Sequence, residues 1–78
     1  MVLCDYLYNT NEYAIYKYGS STIDITGDIC FYLDGSRYKI LRTPSKSIVY
    51  ERSIRMLYLK YIDRFKIRLF NEKISLES

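Results

Sequence analysis

The apolar residues of this chain repeat at two different periods. Through residues 12–42 they largely alternate with polar residues, and between Tyr50 and Phe65 they recur every three or four positions. Alternation is typical of a strand with one buried face, and a repeat near 3.6 is typical of an amphipathic helix. The pattern predicts an α+β domain with a three-stranded antiparallel meander, one α-helix packed on it and a C-terminal β-hairpin. At 78 residues, we expect a single compact domain spanning residues 1–78.

Two glycine-containing turns define the predicted meander, one at residues 19–20 and one at residues 34–35. Tight turns there bring the apolar residues of neighbouring strands to one face. A third turn at Gly27 would split the apolar residues between faces, so we interpret Gly27 as a kink within one long strand. The predicted strands are 12–18, 21–33 and 36–42. The predicted pairs are Tyr16 with Ile23, Ala14 with Ile25, Phe31 with Tyr38, and Ile29 with Ile40.

A helix is predicted to follow the meander. Thr43 can cap it and Pro44 suits its first position, because proline lacks the N–H that a first helical residue leaves unused. We expect the helix to end within about three residues of Asp63. Its core-facing stripe is predicted to contain Tyr50, Ile54, Leu57, Tyr58, Tyr61, Ile62 and Phe65.

The alternation returns after Asp63. Phe65, Ile67 and Leu69 alternate with basic residues, which predicts a strand, and a turn at residues 71–72 would complete a C-terminal hairpin. A single long helix through this segment is the alternative. Residues 2–8 also alternate, so whether they form a further strand is left open.

Catalytic chemistry has few candidate residues in this chain. It contains no histidine and only two cysteines, Cys4 and Cys30, so the usual general base and a zinc-ligand set are both missing. We therefore expect a non-enzymatic protein with no cofactor and no metal. No segment has the pattern of a signal peptide or a membrane span, which predicts a cytoplasmic protein with free thiols and no membrane partner.

Positive charge is concentrated in one part of the chain. The net charge is +3, but residues 46–68 alone carry seven basic and two acidic side chains, a net charge of +5. One hypothesis is therefore a nucleic-acid-binding module. Its contact residues would be Arg52, Arg55, Lys60, Arg64, Lys66 and Arg68. On a helix these residues spread over most of the circumference and do not form one stripe.

The helix side that faces away from the meander supports the leading hypothesis. Three apolar residues stand there among charged ones, which is more than a solvated face requires. Either the N-terminal segment or the hairpin folds over them, or they bind another protein. We predict a non-catalytic protein-binding module that docks through its helix and an open strand edge, and such an edge could also support a homodimer. The predicted partner-binding residues are Val49, Arg52, Met56, Leu59 and Lys60, with Asp63 on the same side.

A small, tyrosine-rich chain without a catalytic motif resembles the inhibitor and adaptor proteins of phages and mobile elements, anti-CRISPR proteins among them. The resemblance implies an anti-defence function that is exerted by binding a protein. The polar face of the meander is a further surface, because aromatic and basic side chains that alternate on a sheet can stack bases. That face is predicted to carry Tyr13, Ile15, Lys17, Tyr32, Arg37 and Lys39.

Overall fold

A computed structural model describes residues 1–77 as one antiparallel sheet with a single helix packed on one face. The sheet has five strands in the order β4-β3-β2-β1-β5. This confirms the predicted α+β class, although the sheet contains two strands more than the predicted meander. The elements are β1 (Val2–Asn9), β2 (Tyr13–Gly19), β3 (Gly27–Tyr32), β4 (Tyr38–Arg42), α1 (Glu51–Lys66) and β5 (Lys73–Leu76).

Residues 2–8, whose structure the sequence left open, lie within β1. This strand pairs with β2 on one side and with β5 on the other. Its alternating residues Val2 and Cys4 are buried beneath the helix, whereas Leu7 lies at an irregularity in the β1–β2 ladder that exposes its side chain. The N-terminal segment therefore extends the sheet and does not fold over the helix.

The turn at residues 34–35 has the predicted register. Phe31 pairs with Tyr38 and Ile29 pairs with Ile40, so the apolar side chains of β3 and β4 share the face that packs against the helix. Gly35 adopts a φ of +82°, a left-handed conformation that glycine adopts without steric cost. The local turn chemistry was sufficient to define this hairpin.

The predicted turn at residues 19–20 is wrong. Residues 20–26 form a loop, β3 begins at Gly27, and Tyr16 pairs with Ile29, whereas Ile23 is 92% exposed. The chain folds back so closely that a Cβ at Gly19 would lie 1.8 Å from the Asp24 carbonyl oxygen. The alternating pattern gave the wrong prediction because Ile23 is at an odd-numbered position, like the buried Ile29 and Phe31, but lies in a loop outside the sheet.

A buried carboxylate explains why the helix begins later than predicted. Asp24 accepts hydrogen bonds from the backbone N–H groups of Lys46 and Ser47, and the Thr26 hydroxyl accepts one from the Ser45 N–H at 2.8 Å. In a helix that starts at Pro44, the Ser47 N–H would donate to the Thr43 carbonyl, but here it donates to Asp24, and the segment before Tyr50 is not helical. The helix starts at Glu51, with Tyr50 as its N-cap.

The helix end lies within the predicted range, but the strand predicted to follow it is wrong. Phe65 is in the helix, and the chain turns through a Schellman motif: the Leu69 N–H donates to the Arg64 carbonyl at 2.9 Å and the Arg68 N–H to that of Phe65 at 3.0 Å. Arg68 occupies the left-handed position of this motif, with a φ of 61°. Ile67 and Leu69 are exposed, so their alternation does not reflect a strand. Residues 1–77 consequently contain no C-terminal hairpin, and β5 pairs with β1 instead.

A cluster of aromatic side chains packs between the helix and the sheet, together with aliphatic residues. Phe31 stacks on Tyr58 and Phe65 with ring centroids 5.5 and 5.4 Å apart, and Tyr16 meets the Phe31 ring edge-on. The buried tyrosine hydroxyls have partners, since Tyr16 donates to the Asn71 carbonyl at 3.0 Å and Tyr58 to that of Tyr32. The predicted stripe of α1 faces this core, with one exception. Tyr50 is 73% exposed.

Within residues 1–77, neither the length nor the apolar content of any helix is sufficient to cross a membrane.

Candidate protein-binding surface

The side of α1 opposite the core carries a narrow stripe of four exposed residues. Arg52, Met56, Leu59 and Asp63 follow one another at spacings of four, three and four positions, which keeps them along one line of an α-helix. Met56 is 49% exposed and Leu59 is 66% exposed. We call these four residues the outer stripe. It consists of two adjacent apolar side chains between a cation and an anion.

A groove runs beside the outer stripe, between the first half of α1 and the edge strand β5. Its volume is about 430 Å³, which falls within the usual range of a ligand-sized cleft, but it is open along its length. The lining combines apolar and charged side chains. The lining residues are Tyr50, Arg52, Ser53, Met56, Leu76 and Glu77.

The predicted partner-binding residues come together, with one exception. Arg52, Met56, Leu59 and Lys60 are all exposed on α1. Lys60 lies beside the groove, where its ammonium donates to the Ser75 carbonyl at 3.2 Å. Val49 precedes the helix and packs against the core, so it does not belong to this surface.

Sequence reasoning missed two residues of the surface. Tyr50 was assigned to the core stripe because its spacing to Ile54 fits a helix, but α1 begins only at Glu51 and the ring points into the groove. Leu76 was assigned to a hairpin, and its position beside the helix depends on the pairing of β5 with β1. No local signal in the sequence indicates that long-range pairing.

Nothing in residues 1–77 covers the outer stripe. The two segments that could have folded over it, the N-terminal segment and the residues after the helix, both belong to the sheet as β1 and β5. The described residues also contain no buried side-chain polar atom without a hydrogen-bond partner. The surface therefore offers exposed apolar area to a partner and no unsatisfied polar group in a cavity.

The six basic residues of the nucleic-acid hypothesis do not form one patch. Arg68 lies beyond the helix, and its guanidinium donates to the carbonyls of Thr10 and Asn11 in the β1–β2 turn. Arg64 and Lys60 both lie over the Tyr61 ring, at 5.2 and 5.3 Å from its centroid. The remaining members, Arg52, Arg55 and Lys66, are exposed on the helix.

The sheet face away from the helix is the other uncovered surface, and several of its charges are neutralised locally. Asp28 bridges Lys17 at 2.7 Å and Arg42 at 3.0 Å, which lowers the pKa of its carboxyl. The Arg37 guanidinium stacks over the Tyr32 ring at 4.6 Å. On this face Lys17 and Arg42 are paired with Asp28, and Arg37 is stacked on Tyr32, which leaves few free cations for a polyanion.

Both thiols are free but inaccessible. Cys4 is in the core, and its burial, together with the charge of Asp5, raises the pKa of the thiol to about 12. Cys30 lies on the far sheet face, yet it is only 4% exposed, and burial raises the pKa of its thiol as well. The strand β2 separates β1 from β3, and Cys4 lies opposite Tyr18 whereas Cys30 lies opposite Ile15, so the cysteines are more than about 10 Å apart, too far for a disulfide. A thiolate nucleophile is not available at either position.

The two edges of the sheet differ in accessibility. On β5, the Ser75 carbonyl accepts hydrogen bonds from Lys60 and Tyr61 at 3.2 and 3.5 Å, so helix side chains occupy part of this edge. Along an edge strand, the backbone groups of successive residues point alternately towards and away from the neighbouring strand. The Arg37 carbonyl points towards β3, because it accepts a hydrogen bond from the Tyr32 N–H. The backbone groups of Tyr38 and Ile40 on β4 therefore point away from β3. Of the two, β4 is the more open edge.

Comparisons with protein-family models, with curated proteins and with solved structures found no match to this chain. The functional interpretation therefore depends on the surfaces of the molecule itself.

Proposed function

We propose that this protein is a non-catalytic protein-binding module whose docking surface is the outer stripe of α1 together with the adjacent groove. The observation that carries the proposal is the pair Met56 and Leu59, two exposed apolar side chains opposite the core that nothing in residues 1–77 covers. Full burial of one such side chain contributes about 1.5–3 kcal/mol to association. Two neighbouring anchors with charged flanks are the arrangement that protein interfaces use.

The small size and the tyrosine-rich composition support an inhibitor or adaptor of the type that phages and mobile elements encode. Such a protein acts by occupying a surface on its target and needs no chemistry of its own. We propose that α1 provides the main contacts, and that the open edge of β4 is the strand edge available to a partner or to a second copy.

Introducing a charge at the anchors tests the proposal. Met56→Glu and Leu59→Glu should each abolish capture of a protein partner from a lysate of the native host, because removing a carboxylate from water in an apolar contact opposes association. Leu7→Glu is the matched control, since Leu7 on β1 is 46% exposed, close to the 49% of Met56, and lies on neither α1 nor β4. Circular dichroism should show that all three variants remain folded.

The capture is performed with and without nuclease. A partner retained by the wild type and by Leu7→Glu, lost with both anchor variants and insensitive to nuclease, supports docking through α1. If retention depends instead on nucleic acid, the basic residues provide the interface. Purified protein would then bind DNA or RNA with an affinity that falls steeply with salt, as counterion release requires.

A further inference from the structure

We propose that the outer stripe pairs with the outer stripe of a second copy, with the two α1 helices antiparallel about a twofold axis that passes between Met56 and Leu59. This inference rests on the proposed function, because it names an occupant for the same surface. The stripe is unusual in that its order of side chains is self-complementary when one copy is reversed.

The register follows from the residue numbers. In an antiparallel helix pair, a residue of one copy lies at the same height as a residue of the other copy when their two residue numbers add up to a fixed value. When Met56 lies opposite Leu59 of the second copy, Arg52 lies opposite Asp63 of that copy, and the twofold axis repeats both pairs. The contact therefore has two apolar layers at its centre and an ion pair at each end.

The charged ends of the stripe need a partner that the monomer does not supply. Within residues 1–77, neither Arg52 nor Asp63 has a side-chain hydrogen bond or an ion pair. A parallel arrangement would place Arg52 against Arg52 and Asp63 against Asp63, which is repulsive at both ends. The other basic residues of this region, Arg55 and Lys60, lie off the stripe on its two flanks, where they reach solvent.

The position of the stripe allows a second helix to approach. The buried residues Ile54, Leu57, Tyr58 and Phe65 lie on the opposite side of α1, so the stripe lies farthest from the sheet. Two helices can then approach to the usual 8–10 Å without contact between the sheets. The interface is small, so we expect a weak dimer with a dissociation constant on the order of 0.1 mM.

Sedimentation equilibrium from about 10 µM to about 1 mM measures this association. Arg52→Asp and Asp63→Arg should each weaken the dimer by about tenfold or more, because each places like charges opposite one another at both ends. The double variant Arg52→Asp/Asp63→Arg should restore wild-type association, since it exchanges the two charges. Leu59→Glu should abolish association, and Glu12→Lys, a charge reversal in the exposed β1–β2 turn, should leave it unchanged.

Net charge alone cannot produce this pattern. Arg52→Asp lowers the net charge and Asp63→Arg raises it, so a nonspecific effect would act in opposite directions in the two variants. A protein that is monomeric at about 1 mM, or a dimer insensitive to both reversals, would overturn the inference. Neither result tests the capture of a different protein. If the proposed function is correct, Met56→Glu abolishes that capture whether or not the protein forms the dimer.

Discussion

At the scale of single residues, Asp24 joins two loops that the sequence pattern treats as unrelated. The hydrogen bond from Thr26, followed by those from Ser47 and Lys46, lowers the pKa of the Asp24 carboxyl to about 2, against the opposing effect of burial. The ionised carboxylate therefore holds the 20–26 loop to the segment that leads into α1. No feature of the sequence near Asp24 indicates these partners, which lie about twenty positions away.

We expect Asp24→Asn to lower the melting temperature at neutral pH, because the amide is neutral and accepts hydrogen bonds at only one of its atoms. The folded-state pKa of about 2 lies below the ordinary 3.8, so the ionised form stabilises the fold above about pH 4 and this contribution is lost as the pH falls towards 2. The difference in melting temperature between wild type and variant should therefore narrow over that range. Glu12→Gln, which removes an exposed carboxylate, serves as the control.

The backbone conformation of Arg68 is unusual for a residue other than glycine. Arg68 holds a left-handed conformation at a position where glycine is common, and a non-glycine residue there costs about 1–2 kcal/mol. We expect Arg68→Gly to be more stable than Arg68→Ala by about 1 kcal/mol, since both remove the guanidinium and only glycine relieves the strain. Urea unfolding of the two variants measures the difference. Equal stability would indicate that the helix end relaxes to another conformation.

The thiols give a third prediction at this scale. Thiolate is the reactive form, and burial raises the pKa of both cysteines. We expect Cys4 and Cys30 to react with a thiol reagent at least about 100-fold more slowly in the native protein than in urea. Rapid labelling of one thiol in the native state would show that its surroundings open locally.

At the scale of elements, the sequence predicted what local patterns control. The helical period between Ile54 and Phe65 and the turn at residues 34–35 both correspond to the structure, because spacing and turn chemistry are short-range properties. The errors occur where contacts between residues far apart in the sequence determine the structure. The loop after Gly19, the late start of α1 and the pairing of β5 with β1 all depend on residues far apart in the chain.

The packing of α1 on the sheet predicts a large effect of core truncation. Ile54→Ala and Phe31→Ala should each destabilise the fold by roughly 2–5 kcal/mol, because both side chains are fully buried and leave cavities. Leu59→Ala, on the exposed side of the same helix, should change stability by less than about 0.5 kcal/mol. Thermal and urea denaturation of the three variants would show whether the two sides of α1 differ as described.

Part of the candidate surface could be predicted from the sequence by the same reasoning. Met56 and Leu59 were identified because a helix with a known buried side has a known exposed side, and that geometry is periodic. The groove could not be predicted, since tertiary packing alone brings Tyr50 and Leu76 together. A sequence pattern therefore indicates which face of a helix is free but not what lies beside it.

At the scale of the whole molecule, the helix and the sheet divide the surface into two sides of different character. The outer stripe presents apolar side chains between charges that have no partner within residues 1–77. The far sheet face pairs many of its charges internally, through Asp28 and through the stacking of Arg37 on Tyr32. Association is therefore expected through α1, and both the partner and the second copy proposed above would compete for that side.

The pairing of β1 with β5 also affects the order in which the molecule can assemble. Asp5 and Lys73 form an ion pair at 3.2 Å although 68 positions separate them. Contacts so distant in sequence require closure of a long loop, which slows folding, whereas the β2–β4 meander is connected by shorter segments. We expect β5 to dock late, and the groove beside α1 does not exist until it has docked. A partner that recognises the groove would thus distinguish fully folded copies from partly folded ones.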